Sequence, residues 1–173
     1  MAIWPFKRGA ADIDGERLLT AVTVASRKVA FFGAGKAADT LEGRFEIMAL
    51  NASLALVRLQ ADAGAAPLAQ SFTDQLFRQF DAGLREEGVS DTAVPKRMHK
   101  LAGAFYGRLK VYAAALSAAD PEALTAAVSR NVLGADTHPF APALAAYAIE
   151  AAGRQAGLPI TALFSDQGWP QLG

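Results

Sequence analysis

VPKRMHKLAGAFYGRLKVYAAAL, residues 94–116, sets Val94, Met98, Leu101, Phe105, Leu109, Tyr112 and Leu116 at intervals of four, three, four, four, three and four. That is the repeat of an α-helix, and it gathers every one of these side chains on a single face. A strand would scatter them over both faces. Pro95 falls where a helix tolerates proline, in the first turn, whose N–H groups have no partner inside the helix. The helix opens between Asp91 and Pro95.

Working outward, the same periodicity recurs with the punctuation that helices need. Residues 67–87 carry Phe72, Leu76, Phe77, Phe80 and Leu84 as a broad stripe and stop at Gly88. Residues 41–61 are apolar on more than one face, at Phe45, Ile47, Met48, Leu50, Leu54, Leu56, Val57 and Leu59, which predicts a central helix with neighbours on several sides. Asp39 and Thr40 ahead of Glu42 form a capping arrangement at its start. A first helix is predicted over residues 14–32, its stripe formed by Leu18, Val22, Ala25, Val29 and Phe32, with Gly33-Ala34-Gly35 as its stop. A fifth starts at Asp120-Pro121-Glu122 and ends near Gly134, and a sixth runs from Pro139 or Pro142 to Gly157. Residues 160–164 form one further turn before an irregular tail. The expected fold is therefore all-α, a single-domain bundle of about six helices over residues 14–165, with 1–13 a flexible N-terminal segment and 166–173 a C-terminal tail.

Composition narrows the function classes. Acids and bases balance at 17 each, so no whole-molecule field attracts nucleic acid or an anionic membrane. With no cysteine there is no disulfide, no thiolate metal site and no thiol nucleophile. Only His99 and His138 are present, and neither has a carboxylate at helical ligand spacing, so no metal is expected. The apolar run 47–57 is far shorter than the roughly 20 residues that cross a bilayer. Trp4, Phe6, Lys7 and Arg8 have no apolar core behind them, so the start is not read as a secretory signal; these residues suit either a disordered segment or one touching a membrane interface. The expected location is cytoplasmic, with a peripheral seat on the inner membrane as a variant of that reading.

Two motifs invite a functional reading. Val29-Ala-Phe-Phe-Gly33-Ala-Gly35-Lys-Ala-Ala38 mimics the glycine fingerprint of a dinucleotide fold, but the strands that fingerprint requires before and after it are missing, so it reads as a helix-ending loop. The fourth helix holds Lys96, Arg97, Lys100, Arg108 and Lys110 with no acid between Thr92 and Ala119. Either this is a solvated surface balanced by Asp81, Glu86, Glu87 and Asp91, or it is a landing surface for an anionic partner, ribosomal RNA or lipid headgroups. The segment from Tyr106 to Arg108 is the preferred contact: Tyr106 and Arg108 lie off the inward stripe, and Gly107 either leaves a gap between helices or permits their close packing.

Phe72-Thr-Asp74-Gln-Leu-Phe77, Leu84-Arg-Glu-Glu-Gly88-Val-Ser-Asp91, Val94-Pro-Lys96-Arg97-Met98 and Ala104-Phe105-Tyr106-Gly107-Arg108 with Tyr112 follow one another in an order that resembles the central block of the ubiquinol-cytochrome c chaperone family. Asp39-Thr40, Gly43-Arg44-Phe45-Glu46 and Arg58-Leu59 resemble its preceding helix, and Arg130-Asn131 its following one. Where family members often show histidine in the second helix, this chain has Asn51. The resemblance implies a helical, non-enzymatic assembly chaperone without a cofactor. Such a protein binds newly made cytochrome b or a bc1 assembly intermediate and promotes biogenesis of the ubiquinol-cytochrome c reductase, complex III. Partner-binding residues on this reading are Lys96, Arg97, Lys100, Tyr106, Gly107 and Arg108, with the ribosome or a membrane surface as further partners and no DNA. The competing reading is a helical lipid- or quinone-binding protein, which requires a deep closed cavity where a chaperone requires a shallow exposed groove.

Overall fold

The computed structural model describes residues 9–173. Six α-helices are present in it: α1 (Ala10–Ser26), α2 (Leu41–Gln60), α3 (Ala66–Glu86), α4 (Val94–Ser117), α5 (Pro121–Leu133) and α6 (Ala141–Ala156), followed by 3-10 turns at Ile160–Phe164 and Asp166–Gly168. The all-α expectation holds. Residues Trp4, Phe6, Lys7 and Arg8, together with most of the segment expected to be flexible, lie outside the described residues.

Helix α2 is the axis of the molecule. It touches α1, α3, α4, α5 and α6, while those helices contact one another in the order α1, α3, α4, α5, α6, and the 3-10 turn at Ile160–Phe164 closes the ring back onto α1. Each residue from Ile47 to Leu56 is buried, so no face of this stretch sees water. A helix apolar all round is stable only with neighbours all round, which is what the sequence pattern demanded. Two polar residues inside it are satisfied: the Ser53 hydroxyl donates to the Ala49 carbonyl at 2.6 Å, one turn back, and Asn51 joins a network that ties three helices together. Its amide nitrogen donates to the Ser26 hydroxyl at 3.1 Å, and its amide oxygen accepts from the Tyr147 hydroxyl at 2.8 Å. Burial pushes the Tyr147 phenol above its ordinary range, so it stays a donor. With donor and acceptor both engaged, Asn51 is a structural clasp between α1, α2 and α6.

The start of α2 is set by Thr40, whose hydroxyl accepts from the Gly43 N–H at 3.1 Å. Asp39 instead pairs with Arg44 at 2.7 Å. Gly43 allows the incoming chain to lie against the helix, because a Cβ there would sit 1.9 Å from the Ala38 carbonyl oxygen.

The first helix departs from expectation. It begins earlier, at Ala10, and ends at Ser26 rather than at the glycine pair. The Ser26 hydroxyl bonds back to the Val22 carbonyl at 2.7 Å while receiving Asn51, which fixes the last turn. Beyond it a 3-10 turn at Val29–Phe31 carries Phe31, not Phe32, into the core, where it meets Tyr147 edge-on with ring centres 5.0 Å apart. Val29, expected on the inward stripe, is left 85% exposed. Gly33 and Gly35 take φ values of 119° and 72° in a loop that closes on itself, the Gly33 N–H donating to the Ala37 carbonyl and the Ala37 N–H to the Phe31 carbonyl. That single bridge is not a strand, and among the described residues there is none for a dinucleotide fold.

The tail is irregular from Trp169 onward, as expected, but it is packed against the bundle: Trp169 is only 2% exposed and donates through Nε1 to the Leu163 carbonyl at 3.1 Å. Gln155 of α6 donates to the Gly168 carbonyl at 3.0 Å. Arg58 of α2 donates to the carbonyls of Gln155 at 2.8 Å and Leu158 at 3.1 Å, satisfying acceptors that the end of α6 leaves open.

Candidate functional site

The predicted partner residues all lie on α4, and the structure sorts them into two kinds. Lys96, Lys100, Gly103, Gly107 and Lys110 follow at four, three, four and three residues, and all are exposed. Their face of α4 points away from α2, because the opposite stripe, with Val94, Phe105 and Tyr112 buried, forms the core contact. Among the described residues, Lys96, Arg97, Lys100 and Lys110 take no ion pair and no side-chain hydrogen bond. The acids expected to balance them do not all do so, since Asp81 and Asp91 both pair with Arg85. Gly107 neither opens a gap between helices nor permits close packing: nothing lies within 4 Å of where its Cβ would be, and it faces solvent.

Arg108 belongs to the second kind. Its Nε and Nη2 donate to the two carboxylate oxygens of Glu46 at 2.5 and 2.6 Å, and its Nη1 donates to the Ala104 carbonyl at 3.2 Å. The guanidinium lies 5.9 Å from the centre of the Phe45 ring. Burial pushes the Glu46 carboxyl up from its ordinary range, with Arg108 pulling the other way, and the same carboxylate holds Arg108 firmly charged. Tyr112, whose phenol burial also raises, lies beside this pair and near Asn131. Glu46, Arg108, Tyr112 and Asn131 come from three helices, and each lies in one of the segments that carry the family resemblance. The charge of Arg108 is therefore spent inside the molecule, fastening α4 to α2.

An aromatic row runs from this clasp to the surface. Phe45 meets Phe80 with centres 5.2 Å apart, Phe80 meets Phe77 at 5.9 Å, and Phe77 meets both Phe105 at 5.6 Å and Tyr106 at 5.8 Å. Phe105 is the buried anchor; Phe45, Phe77 and Phe80 are half-buried, and Tyr106 is 50% exposed. The junction of α2, α3 and α4 thus presents aromatic surface between the Glu46–Arg108 pair and the outer face of α4. Sequence periodicity placed Phe77 and Phe80 on the inward stripe of α3 and so missed them as surface. The signal that could have found them is the breadth of that stripe, wider than α3 buries against α1, α2 and α4. The clefts at Arg97, Glu42 and Glu87, and between α1 and α3, are open to solvent.

Because the pair is partly buried, its two halves stand or fall together. Replacing Arg108 alone with methionine is expected to lower stability by about 2 kcal/mol by stranding Glu46. Adding Glu46→Leu should restore stability to within about 1 kcal/mol of the parent, measured by urea unfolding.

The chain matches the family described as ubiquinol-cytochrome C chaperone over residues 34–168, which takes in α2 to α6 and the Glu46–Arg108 clasp. It belongs to that family. The match reaches from the glycine loop to the turn before Trp169, so the Glu46–Arg108 pair, the aromatic row and the Asn51–Tyr147 half of the Asn51 network lie within the family domain, while Ser26 of α1 lies ahead of it. The chain is also similar to the Cbp3 homolog from Brucella abortus, known from a crystal structure, with 34% identity, a TM-score of 0.81, and coverage of 94% of this chain and 92% of that one. No curated protein matches it. Membership of a chaperone family implies a non-enzymatic role. No helix among the described residues is long and apolar enough to cross a membrane.

Proposed function

We propose that this protein is an assembly chaperone for the ubiquinol-cytochrome c reductase, complex III, that binds newly made cytochrome b or an early bc1 intermediate at the junction of α3 and α4. The observation that carries this reading is the family match over residues 34–168. Physical chemistry supports the choice of surface. Phe45, Phe77, Phe80 and Tyr106 offer rigid aromatic contact area to an apolar client helix, and the rings are already ordered by edge contacts with one another. Ordering them in advance lowers the entropy cost of binding. Lys96, Arg97 and Lys100 add a charged rim toward the start of α4. The clefts beside Arg97 and between α1 and α3 are open to solvent, whereas the burial of a lipid or quinone needs an enclosed cavity.

Deleting the gene in the source organism is expected to lower spectroscopically detected cytochrome b and reductase activity together. Normal levels of both would reject the reading. A photo-crosslinking amino acid at Tyr106 should capture cytochrome b, whereas the same group at Ile149, an exposed apolar position on α6, should not.

A further inference from the structure

We propose that the outer face of α4 is a seat for an anionic lipid surface, with Lys96, Lys100 and Lys110 taking lipid phosphate oxygens and Tyr106 and Val111 resting at the headgroup boundary. The chain as a whole is electrically balanced, yet no acidic residue stands between Thr92 and Ala119. On the folded molecule that local excess is not neutralised, because these three lysines have no acidic partner among the described residues. A row of free cations on one straight helix is complementary to a flat anionic plane. Tyr106 and Val111, 50% and 42% exposed, flank the row, and a tyrosine with its polar tip is favoured where water meets acyl chains.

The middle of the face agrees with a flat partner. Gly103 and Gly107 each cost a helix interior about 1 kcal/mol relative to alanine. Neither takes a positive φ, and neither has an atom within 4 Å that a Cβ would meet, so nothing inside the protein requires them. They leave the centre of the face without side chains, and the lysine amino groups and the Tyr106 ring define its contact plane. RNA fits less well. Base stacking needs exposed rings in series, and of the aromatic residues on α4, Phe105 and Tyr112 are buried, leaving Tyr106 alone. The seat would place the neighbouring aromatic row beside the bilayer, where an apolar client is found.

The test uses the full chain and vesicles. Flotation with phosphatidylglycerol-rich vesicles is expected to carry the protein, with binding that weakens as salt is raised, and pure phosphatidylcholine vesicles should not carry it. The triple variant Lys96→Gln, Lys100→Gln and Lys110→Gln keeps good helix formers and should lose on the order of a hundredfold in partition coefficient. Arg27→Gln with Arg78→Gln, at the groove between α1 and α3, should bind as the parent does. Absence of vesicle binding, an unchanged triple variant, or tighter lysine-dependent binding to single-stranded RNA than to vesicles would each overturn the proposal. The readout involves no client, so a negative result removes the lipid seat and leaves the chaperone reading untouched.

Discussion

Replacing Gly43 with alanine is expected to destabilise the protein by about 3 kcal/mol, while the same substitution at Gly103 should stabilise it by up to about 1 kcal/mol. Both glycines lie in helices, and helix propensity alone predicts a gain at each. The difference is what surrounds them. At Gly43 the added carbon would fall 1.9 Å from the Ala38 carbonyl oxygen, a backbone atom that no rotamer change can move. Relief requires shifting the chain that enters α2, and the Thr40 cap and the Asp39–Arg44 pair are both built on that approach. At Gly103 the carbon enters open space. Urea unfolding of the two variants beside the parent measures both, and for a chain of this length a 3 kcal/mol loss lowers the melting temperature by roughly 10 °C. A neutral result at Gly43 would mean that the approach to α2 is looser than described.

Truncating Trp169 to alanine should cost about 3 to 5 kcal/mol, the range for deleting a large buried aromatic side chain. The indole is nearly inaccessible and joins the main core, and its N–H holds the Leu163 carbonyl. Trp169→Phe keeps much of the volume and loses the hydrogen bond, so it should cost only about 1 to 2 kcal/mol. Thermal unfolding followed by circular dichroism separates the two, and equal losses would show that the hydrogen bond, not the packing, anchors the tail.

These two sites divide what the sequence revealed from what it concealed. Periodicity found α4 because its stripe repeats over a long span, and it found the central place of α2 because only a surrounded helix can be apolar throughout. Gly88 and Asp120 marked ends and starts through local chemistry, the Asp120 side chain accepting from the Ala123 N–H at 2.9 Å. The early end of α1 was hidden, since it depends on Asn51, which lies 25 residues from Ser26. Arg108 looked like a free base for the same reason: its partner Glu46 is 62 positions away and carries no local mark. Trp169 stands in a short stretch without any repeat, so nothing near it announced that it would be buried. Local rules locate helices and their caps. Pairings across the bundle become visible only when the helices have been put side by side.

The ring around α2 has a consequence for biosynthesis. A chain made from its N-terminus exposes the greasy cylinder of residues 47–56 early, and the last staves of the barrel that covers it, α6 and the Trp169 turn, are translated more than ninety residues after Ile47. Until then the nascent molecule shows the apolar surface that makes incompletely folded chains prone to aggregate. The burial of that cylinder is completed only when the final turns arrive.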